Sequence, residues 1–259
     1  MGRPTAVDKP MAVKYQPNIS TISEGRHVHP MALRTLKARL NDGGSARAQD
    51  LGLSCAIVAG WTGRDPAALE KHIVELEALG VKRPPTTPVF YRVSAARLTS
   101  DTVMEVTGPN SSGEVEFVLL QWEGRLWIGV GSDHTDREAE TYDVTVSKQM
   151  CDKPIAAEFW AFDAVAPHWD QLLLRSYVFD GNGNRVLYQQ GTVAGMLAPP
   201  DLLKKWGKPL ADGTLMFGGT LAALGGIRPS RRFEYEIEDP VLGRTLSHGY
   251  DIVDLSVQE

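Results

Sequence analysis

Two glutamates separated by one residue, Glu114-Val115-Glu116, are the part of this sequence best suited to chemistry. The residues that follow favour a strand, in which side chains alternate between faces, so both carboxylates point the same way, roughly 6 to 7 Å apart. Carboxylates side by side repel each other unless a cation lies between them. A third carboxylate, Asp133, would complete an oxygen-only site for a hard divalent ion. Taken alone, the Glu-x-Glu pattern is also typical of a solvated sheet face.

His72 and Glu75 form a second candidate site. A helix is predicted around them, because Asp65 is a plausible N-cap, Pro66 suits the first helical position, apolar residues follow at helical spacing and Gly80 ends the pattern. Residues three apart share a helix face, so Glu75 can hold one tautomer of the imidazole, as a general base requires. The alternative is a histidine on an apolar stripe beside a solvated glutamate.

Two further segments contain polar groups that could assist these sites. Lys148 follows an apparent strand at 142–146 and could place a positive charge in the same cleft, or be an ordinary surface lysine. Thr220 lies in a glycine-rich turn at 218–221, where free backbone N–H groups suit an anionic group. The sequence has no P-loop, no zinc-binding Cys or His spacing and no Gly-x-Ser-x-Gly elbow, which disfavours those three chemistries.

Composition places the chain among ordinary soluble proteins. It has 259 residues with 42% hydrophobic and 23% charged, and its net charge of -5 argues against a nucleic-acid or anionic-membrane surface. No apolar run approaches the roughly 20 residues that span a bilayer. Prolines and charges interrupt the N-terminal region where a signal peptide would need an apolar core. The two cysteines, far apart in sequence, argue against a disulfide scaffold, and we expect a cytoplasmic protein.

The elements that must position these residues are mostly strands. Residues 1–32 read as an extension or arm, and residues 33–259 as a single domain. Many short strands without regular βα alternation favour an α+β, β-rich fold. Besides the helix after Asp65, a short helix is predicted at 200–206, and 41–50 is predicted to be a linker. The predicted strands are 33–40, 51–59, 89–93, 103–106, 114–122, 126–130, 142–146, 172–179, 185–189, 215–218, 233–237 and 249–255.

The order of these motifs resembles that of the fumarylacetoacetate hydrolase superfamily. Its members share a His-x-x-Glu, a Glu-x-Glu pair, an Asn-Asp-Val-Ser/Thr-x-Arg-Asp motif, a Lys and a late Thr-Gly-Thr-Pro turn. The similarity covers about residues 55–259 and is greatest to a bacterial branch of unknown function. The counterparts, in order, are His72-Ile73-Val74-Glu75, Pro88-Val89-Phe90-Tyr91, Glu114-Val115-Glu116, Ser132-Asp133-His134-Thr135-Asp136-Arg137-Glu138, Lys148 and Gly218-Gly219-Thr220-Leu221.

The chain departs from the family pattern at several places. The Asn-Tyr before the histidine is absent, Arg92-Val93 replaces a Lys-Pro, and Leu221 replaces the proline of the late turn. The segment between Glu116 and Asp133 is shorter than usual, as though a helix were missing. These departures concern the residues that would contact substrate and leave the three carboxylates in place.

The resemblance implies a mixed β-sandwich roll with few short helices and a site for Mg²⁺ or Mn²⁺, with Ca²⁺ as a crystallographic substitute. It implies Glu114, Glu116 and Asp133 as metal ligands. It also implies catalytic roles for His72, Glu75 and Lys148, and substrate contacts from Tyr91, Arg92 and Thr220.

The activity implied is acylpyruvase-like hydrolysis of a carbon–carbon bond in a small keto acid or dioxo compound, within catabolism. The alternatives are a keto-acid decarboxylase or tautomerase using the same site, and a non-catalytic protein that binds a small ligand. The expected partners are a small carboxylate substrate and a second copy of the chain in a homodimer, with no nucleic acid and no membrane.

Overall fold

The computed structural model describes residues 34–78 and 83–255, without the side chains of His72, Glu75, Leu76 and Ala78. The expected arm at 1–32 lies outside the described residues. Within them, no helix is long and apolar enough to cross a membrane.

Strands dominate the described part, with few and short helices, as the sequence predicted for an α+β, β-rich fold. The helices are α1 (Pro66–Ala78), α2 (Arg137–Glu140), α3 (Val144–Met150), α4 (Phe162–Val165) and α5 (Pro199–Trp206), with 3₁₀ turns at Ala95–Arg97, Ala166–Gln171 and Val193–Gly195. The strands are β1 (Arg34–Asn41), β2 (Ala46–Leu53), β3 (Cys55–Gly60), β4 (Val89–Val93), β5 (Leu98–Thr99), β6 (Val103–Val106), β7 (Ser111–Ser112), β8 (Val115–Trp122), β9 (Arg125–Ser132), β10 (Thr135–Asp136), β11 (Lys153–Pro154), β12 (Glu158–Ala161), β13 (Leu173–Phe179), β14 (Arg185–Thr192), β15 (Thr214–Phe217), β16 (Arg232–Asp239) and β17 (Arg244–Asp254).

The larger sheet has eight strands in the order β2-β1-β12-β9-β8-β15-β3-β4. β2 forms one edge and β3 lies next to the other edge, yet Ser54 alone separates them in sequence. One residue spans only about 3.8 Å between neighbouring Cα atoms, so the sheet must curl until its two edges approach each other. Apolar side chains from both edges and the centre, such as Leu53, Val93 and Phe217, accordingly pack in one buried cluster.

The smaller sheet has five strands in the order β14-β13-β16-β17-β6. It packs on the other face of the large sheet, where Phe117 and Leu119 of β8 share a buried cluster with Leu174 of β13 and Ile237 of β16. β8 is therefore covered on both faces. This burial explains why Phe117 to Leu120 form a continuous apolar run rather than an alternating pattern.

β8 and β9 form a tight hairpin. Glu123 and Gly124 make its turn with φ of 51° and 71°, the positive values that two-residue hairpins favour. Glu116 pairs with Gly131 across the hairpin, and the Asp133 N–H donates to the Glu114 carbonyl at 3.0 Å. The short connection between Glu116 and Asp133 is thus a direct hairpin, and it brings the two polar ends of β8 and β9 together.

The predicted strand at 142–146 is wrong. Residues Val144–Met150 form α3, and the Asp143 side chain caps it by accepting a hydrogen bond from the Val146 N–H at 2.9 Å. The alternating valines resemble a strand, but the cap starts a helix that places Lys148 among buried residues. Lys148 therefore projects from a helix and not from the end of a strand.

The predicted linker at 41–50 is also wrong, and the predicted strand at 51–59 is two strands. Asp42 accepts hydrogen bonds from the N–H groups of Gly44 and Ser45, which closes a turn, and β2 starts directly afterwards at Ala46. A break at Ser54 separates β2 from β3. The predicted strands at 89–93, 103–106, 172–179 and 185–189 are confirmed, whereas strand β12 was missed.

Candidate metal centre

Glu114, Glu116 and Asp133 converge at the open end of the β8–β9 hairpin. One carboxylate oxygen from each lies within 4.8 Å of the others. Ligands on opposite sides of an ion bound at about 2.1 to 2.4 Å stand about 4.2 to 4.8 Å apart, so this spacing suits ions from Mg²⁺ to Ca²⁺. Glu116 and Asp133 are buried and Glu114 is partly exposed, so the group opens to solvent on the Glu114 side.

Glu116 has no ion-pair partner among the described side chains. Burial, followed by the nearby charge of Asp133, raises the pKa of this carboxyl well above its usual range. Its Oε2 accepts a hydrogen bond of 2.7 Å from the Gly219 N–H. Gly219 has φ of 114°, and a Cβ added there would lie 1.9 Å from Thr62 Oγ1, so this turn requires glycine.

Asp133 is held between two lysines. Lys148 Nζ donates to its Oδ2, and Lys153 Nζ lies 3.3 Å from its Oδ1. Burial acts to raise the pKa of Asp133, but the charges of Lys148 and Lys153 prevail and lower it to about 2. The carboxylate is therefore ionised at neutral pH. Apart from this ion pair with Lys153, its Oδ1 accepts no hydrogen bond from the described residues and can act as a ligand.

Lys153 is a site residue that the sequence reasoning missed. It is fully buried, its Nζ also donates to the His134 carbonyl, and burial lowers its pKa. The sequence offered only a weak signal, a lysine between Asp152 and the apolar run at 154–157. Such a lysine is seldom buried without a partner carboxylate.

Arg137 holds the third carboxylate. Its Nη2 lies 3.2 Å from Glu114 Oε1, its Nη1 donates to Glu140 at 2.8 Å, and its Nε donates to the Ser112 hydroxyl at 2.7 Å. Although burial opposes its charge, Glu114 and Glu140 raise the pKa of the guanidinium. Arg137 belongs to the motif read from the sequence, where no role was given to it.

The three residues predicted to contact substrate, Tyr91, Arg92 and Thr220, differ in their position relative to the carboxylates. The Tyr91 ring centroid is 5.8 Å from Lys148 Nζ, so this side chain borders the carboxylates. Arg92 follows it on β4 and therefore points to the opposite face of the strand, where it is exposed. The Thr220 hydroxyl donates to the Val115 carbonyl at 2.9 Å, so its hydrogen already has an acceptor. The backbones of His72 and Glu75 lie on α1, but their side chains are outside the described residues.

The residues present fit a divalent cation. All three candidate ligands are carboxylates, the set that hard ions prefer. Glu116 is buried beside Asp133 without an ion pair of its own, and Asp133 Oδ1 lacks a hydrogen-bond donor among the described residues. A cation between these two carboxylates would give Glu116 an opposite charge and Asp133 Oδ1 a second partner besides Lys153. This acidic group can therefore bind a divalent metal.

Solved structures with the same fold include Cg1458 and a yeast protein. Cg1458 with an inhibitor superposes with a TM-score of 0.59 and 15% identity, covering 82% of this chain and 84% of that one. Cg1458 in a second structure gives 0.57 and 14%, covering 82% and 83%. Yeast ynq8, a fumarylacetoacetate hydrolase family protein, gives 0.56 and 16%, covering 78% of this chain and 94% of that one.

The fold is thus the one that the sequence resemblance predicted. A search of curated proteins found no significant match. A family model described as a protein of unknown function, DUF2848, matches residues 59–250. Because that match covers most of the chain, this protein belongs to the DUF2848 family.

Proposed function

We propose that this protein is a divalent-metal-dependent hydrolase that cleaves a carbon–carbon bond in a small keto acid or dioxo compound, as an acylpyruvase does. The observation that carries the proposal is the convergence of Glu114, Glu116 and Asp133 within 4.8 Å, two of them buried. The fold shared with a fumarylacetoacetate hydrolase family protein supports the class of reaction. Mg²⁺ or Mn²⁺ is the proposed ion.

Each charged residue around the carboxylates has a distinct role in this proposal. Glu114, Glu116 and Asp133 would hold the ion, which when bound supplies Lewis-acid polarisation of substrate oxygens. Arg137 and Lys153 orient two of the ligands through their contacts with Glu114 and Asp133. These contacts fix the carboxylate ligands in place before the ion and the substrate bind, which favours tight binding of the ion.

Lys148 is the residue that, in this proposal, meets the substrate. Its Nζ lies between Asp133 and the Tyr91 ring, and α3 carries it at the edge of the carboxylate group. Its ammonium would stabilise negative charge that develops on a substrate oxygen or carboxylate. Tyr91 would pack against the same end of the substrate. His72, oriented by Glu75, is the proposed base that takes a proton from the attacking water.

The metal site is tested by measuring Mn²⁺ binding to wild type, to Glu116→Gln and to the matched control Glu138→Gln, an exposed glutamate near the site. We expect wild type and control to bind one ion per chain. Titration calorimetry measures this binding, and so does the electron paramagnetic resonance signal of the Mn²⁺ that stays free. Glu116→Gln keeps the acceptor for Gly219 but loses a charged ligand, so its affinity should fall by at least about 100-fold. Equal binding by all three proteins would rule out the carboxylate group as the metal site.

The reaction is tested with a panel of acylpyruvates and other keto acids, with Mn²⁺ and after chelation. We expect metal-dependent hydrolysis that His72→Ala abolishes while Mn²⁺ binding is kept. Turnover unchanged in His72→Ala would favour decarboxylation or tautomerisation, which need no base to activate water. Metal binding without turnover of any compound would favour a ligand-binding protein.

We also propose a homodimer, which sedimentation equilibrium tests directly.

A further inference from the structure

Gln189 of β14 connects the small sheet to the glutamate pair. It is buried, and both ends of its amide are fully used. Its Oε1 accepts from the Val115 N–H at 2.9 Å and from the Ser176 hydroxyl at 2.8 Å, while its Nε2 donates to the Thr220 hydroxyl at 2.9 Å and the Leu221 carbonyl at 2.6 Å.

These contacts fix two segments that determine where Glu116 lies. Val115 is the residue between the two glutamates, so the hydrogen bond from its N–H to Gln189 holds the backbone that carries both of them. Thr220 follows Gly219, whose N–H donates to Glu116. One buried amide therefore holds both the strand that carries the glutamates and the turn that binds one of them.

Tyr250 of β17 makes the equivalent connection to Asp133. Its side chain is fully buried, and its hydroxyl lies 2.9 Å from Ser132 Oγ and 2.8 Å from His134 Nδ1. The two partners are the residues on either side of Asp133. The backbone that carries this carboxylate is thus held at both neighbours by one phenol group.

Glu116 lies on β8 of the large sheet, and Glu114 and Asp133 directly flank β8 and β9, whereas Gln189 and Tyr250 lie on strands of the small sheet. We propose that Gln189 and Tyr250 are positioning residues through which the small sheet sets the spacing of Glu114, Glu116 and Asp133. The inference rests on the proposed function, because it concerns the affinity of the same carboxylates for a divalent cation. Groups that orient ligands without touching the ion typically change metal affinity by about 10- to 100-fold when removed.

Tyr250→Phe removes only the hydroxyl, and the small sheet offers a matched control. Tyr235 of β16 is also buried, its ring centroid lies 6.3 Å from that of Tyr250, and its hydroxyl has no hydrogen-bond partner among the described residues. We expect Mn²⁺ affinity to fall by about 10- to 100-fold in Tyr250→Phe and to change less than about 2-fold in Tyr235→Phe.

Gln189→Met tests the other connection at similar side-chain volume. Its control is Gln190→Met, an exposed neighbour on the same strand. We expect the first variant to lose about 10- to 100-fold in Mn²⁺ affinity and the second to match wild type.

The ratio of Mg²⁺ to Ca²⁺ affinity separates positioning from a loss of stability. Mg²⁺ demands near-ideal geometry, whereas Ca²⁺ tolerates varied ligand spacing. A loosened site should therefore lose more Mg²⁺ affinity than Ca²⁺ affinity, while a smaller folded fraction would lower both equally. We expect the ratio to fall in Tyr250→Phe and Gln189→Met and to stay constant in both controls.

The outcomes distinguish this inference from the proposed function. If both variants keep wild-type Mn²⁺ affinity and ion ratio while Glu116→Gln loses binding, positioning by the small sheet is overturned and the metal site stands. Equal loss of Mg²⁺ and Ca²⁺ affinity also overturns positioning, because it reports a folding defect. If wild type binds no divalent ion, both the proposed function and this inference fail.

Discussion

Glu116 depends on one backbone donor, the N–H of Gly219. Glu116 is buried with two other carboxylates nearby, and among the described residues this N–H is the only hydrogen-bond donor to it. The conformation of Gly219 therefore matters to the site, because it directs this N–H towards Glu116. Its φ of 114° and its contact with Thr62 leave no room for a side chain.

Gly219→Ala should accordingly disturb both stability and metal binding. We expect a loss of about 2 to 4 kcal/mol in the free energy of unfolding, because backbone strain of about 1 to 3 kcal/mol adds to a steric clash. Mn²⁺ affinity should fall by at least about 10-fold, since the N–H moves away from Glu116. Urea unfolding and calorimetry measure the two effects.

Gly226→Ala is the control for backbone strain alone. Gly226 has φ of 84°, but a Cβ added there meets no atom within 4 Å. We expect it to lose about 1 kcal/mol of stability and no Mn²⁺ affinity. If Gly219→Ala and Gly226→Ala have the same Mn²⁺ affinity, the contact between Gly219 and Glu116 has no role in the site.

At this scale the sequence allowed the candidate ligands to be predicted but not what holds them. Glu114 and Glu116 were found because strand alternation is a local property, and Asp133 because it follows them in the motif order of the family that the sequence resembles. Gln189 and Tyr250 were not, because their partners lie 74 and 118 positions away, at Val115 and Ser132. No pattern in one sequence specifies which buried amide will meet which backbone N–H.

Helix α3 is the element that brings Lys148 to Asp133. It has only seven residues, too few to be stable in isolation, so its start depends on the Asp143 cap. The sequence prediction failed here because Val144 and Val146 alternate as in a strand, whereas the helix depends on the cap from Asp143. α1, by contrast, was predicted from its Asp65 cap and following proline, and it begins where expected, at Pro66.

Asp143→Ala should loosen α3 without removing any group from the carboxylate site. We expect a loss of about 0.5 to 2 kcal/mol and faster hydrogen exchange in residues 146–150. Turnover should fall because Lys148 is no longer fixed beside Asp133. Asp143→Asn is the matched control, since asparagine caps about as well as aspartate. Normal exchange in Asp143→Ala would show that tertiary contacts and not the cap hold α3.

The whole molecule places its site where the two sheets meet. Curling of the large sheet follows from the single residue between β2 and β3, but the sequence did not show it, since β3 pairs with β15 and β1 with β12 across long stretches of chain. The fold class and the strand content could be predicted from local patterns. The pairings of β3 with β15 and of β1 with β12 depend on contacts between distant segments. The β8–β9 hairpin is the local unit on which the distant contacts assemble.

Because the folded chain brings the three carboxylates together, binding of an ion between them should stabilise the whole fold. A ligand at 100 times its Kd that binds only the folded state adds about 2.7 kcal/mol. For a domain of this size each kcal/mol shifts Tm by about 2 to 4 °C, so Mn²⁺ should raise Tm by about 5 to 11 °C, measured by calorimetric scans with and without chelator. Glu116→Gln should show a shift below about 1 °C. Without metal its Tm should be no lower than that of wild type, because a neutral amide replaces one of two buried, closely spaced carboxyls and keeps the hydrogen bond from Gly219. A metal-induced shift of equal size in both proteins would place the stabilising ion elsewhere in the molecule.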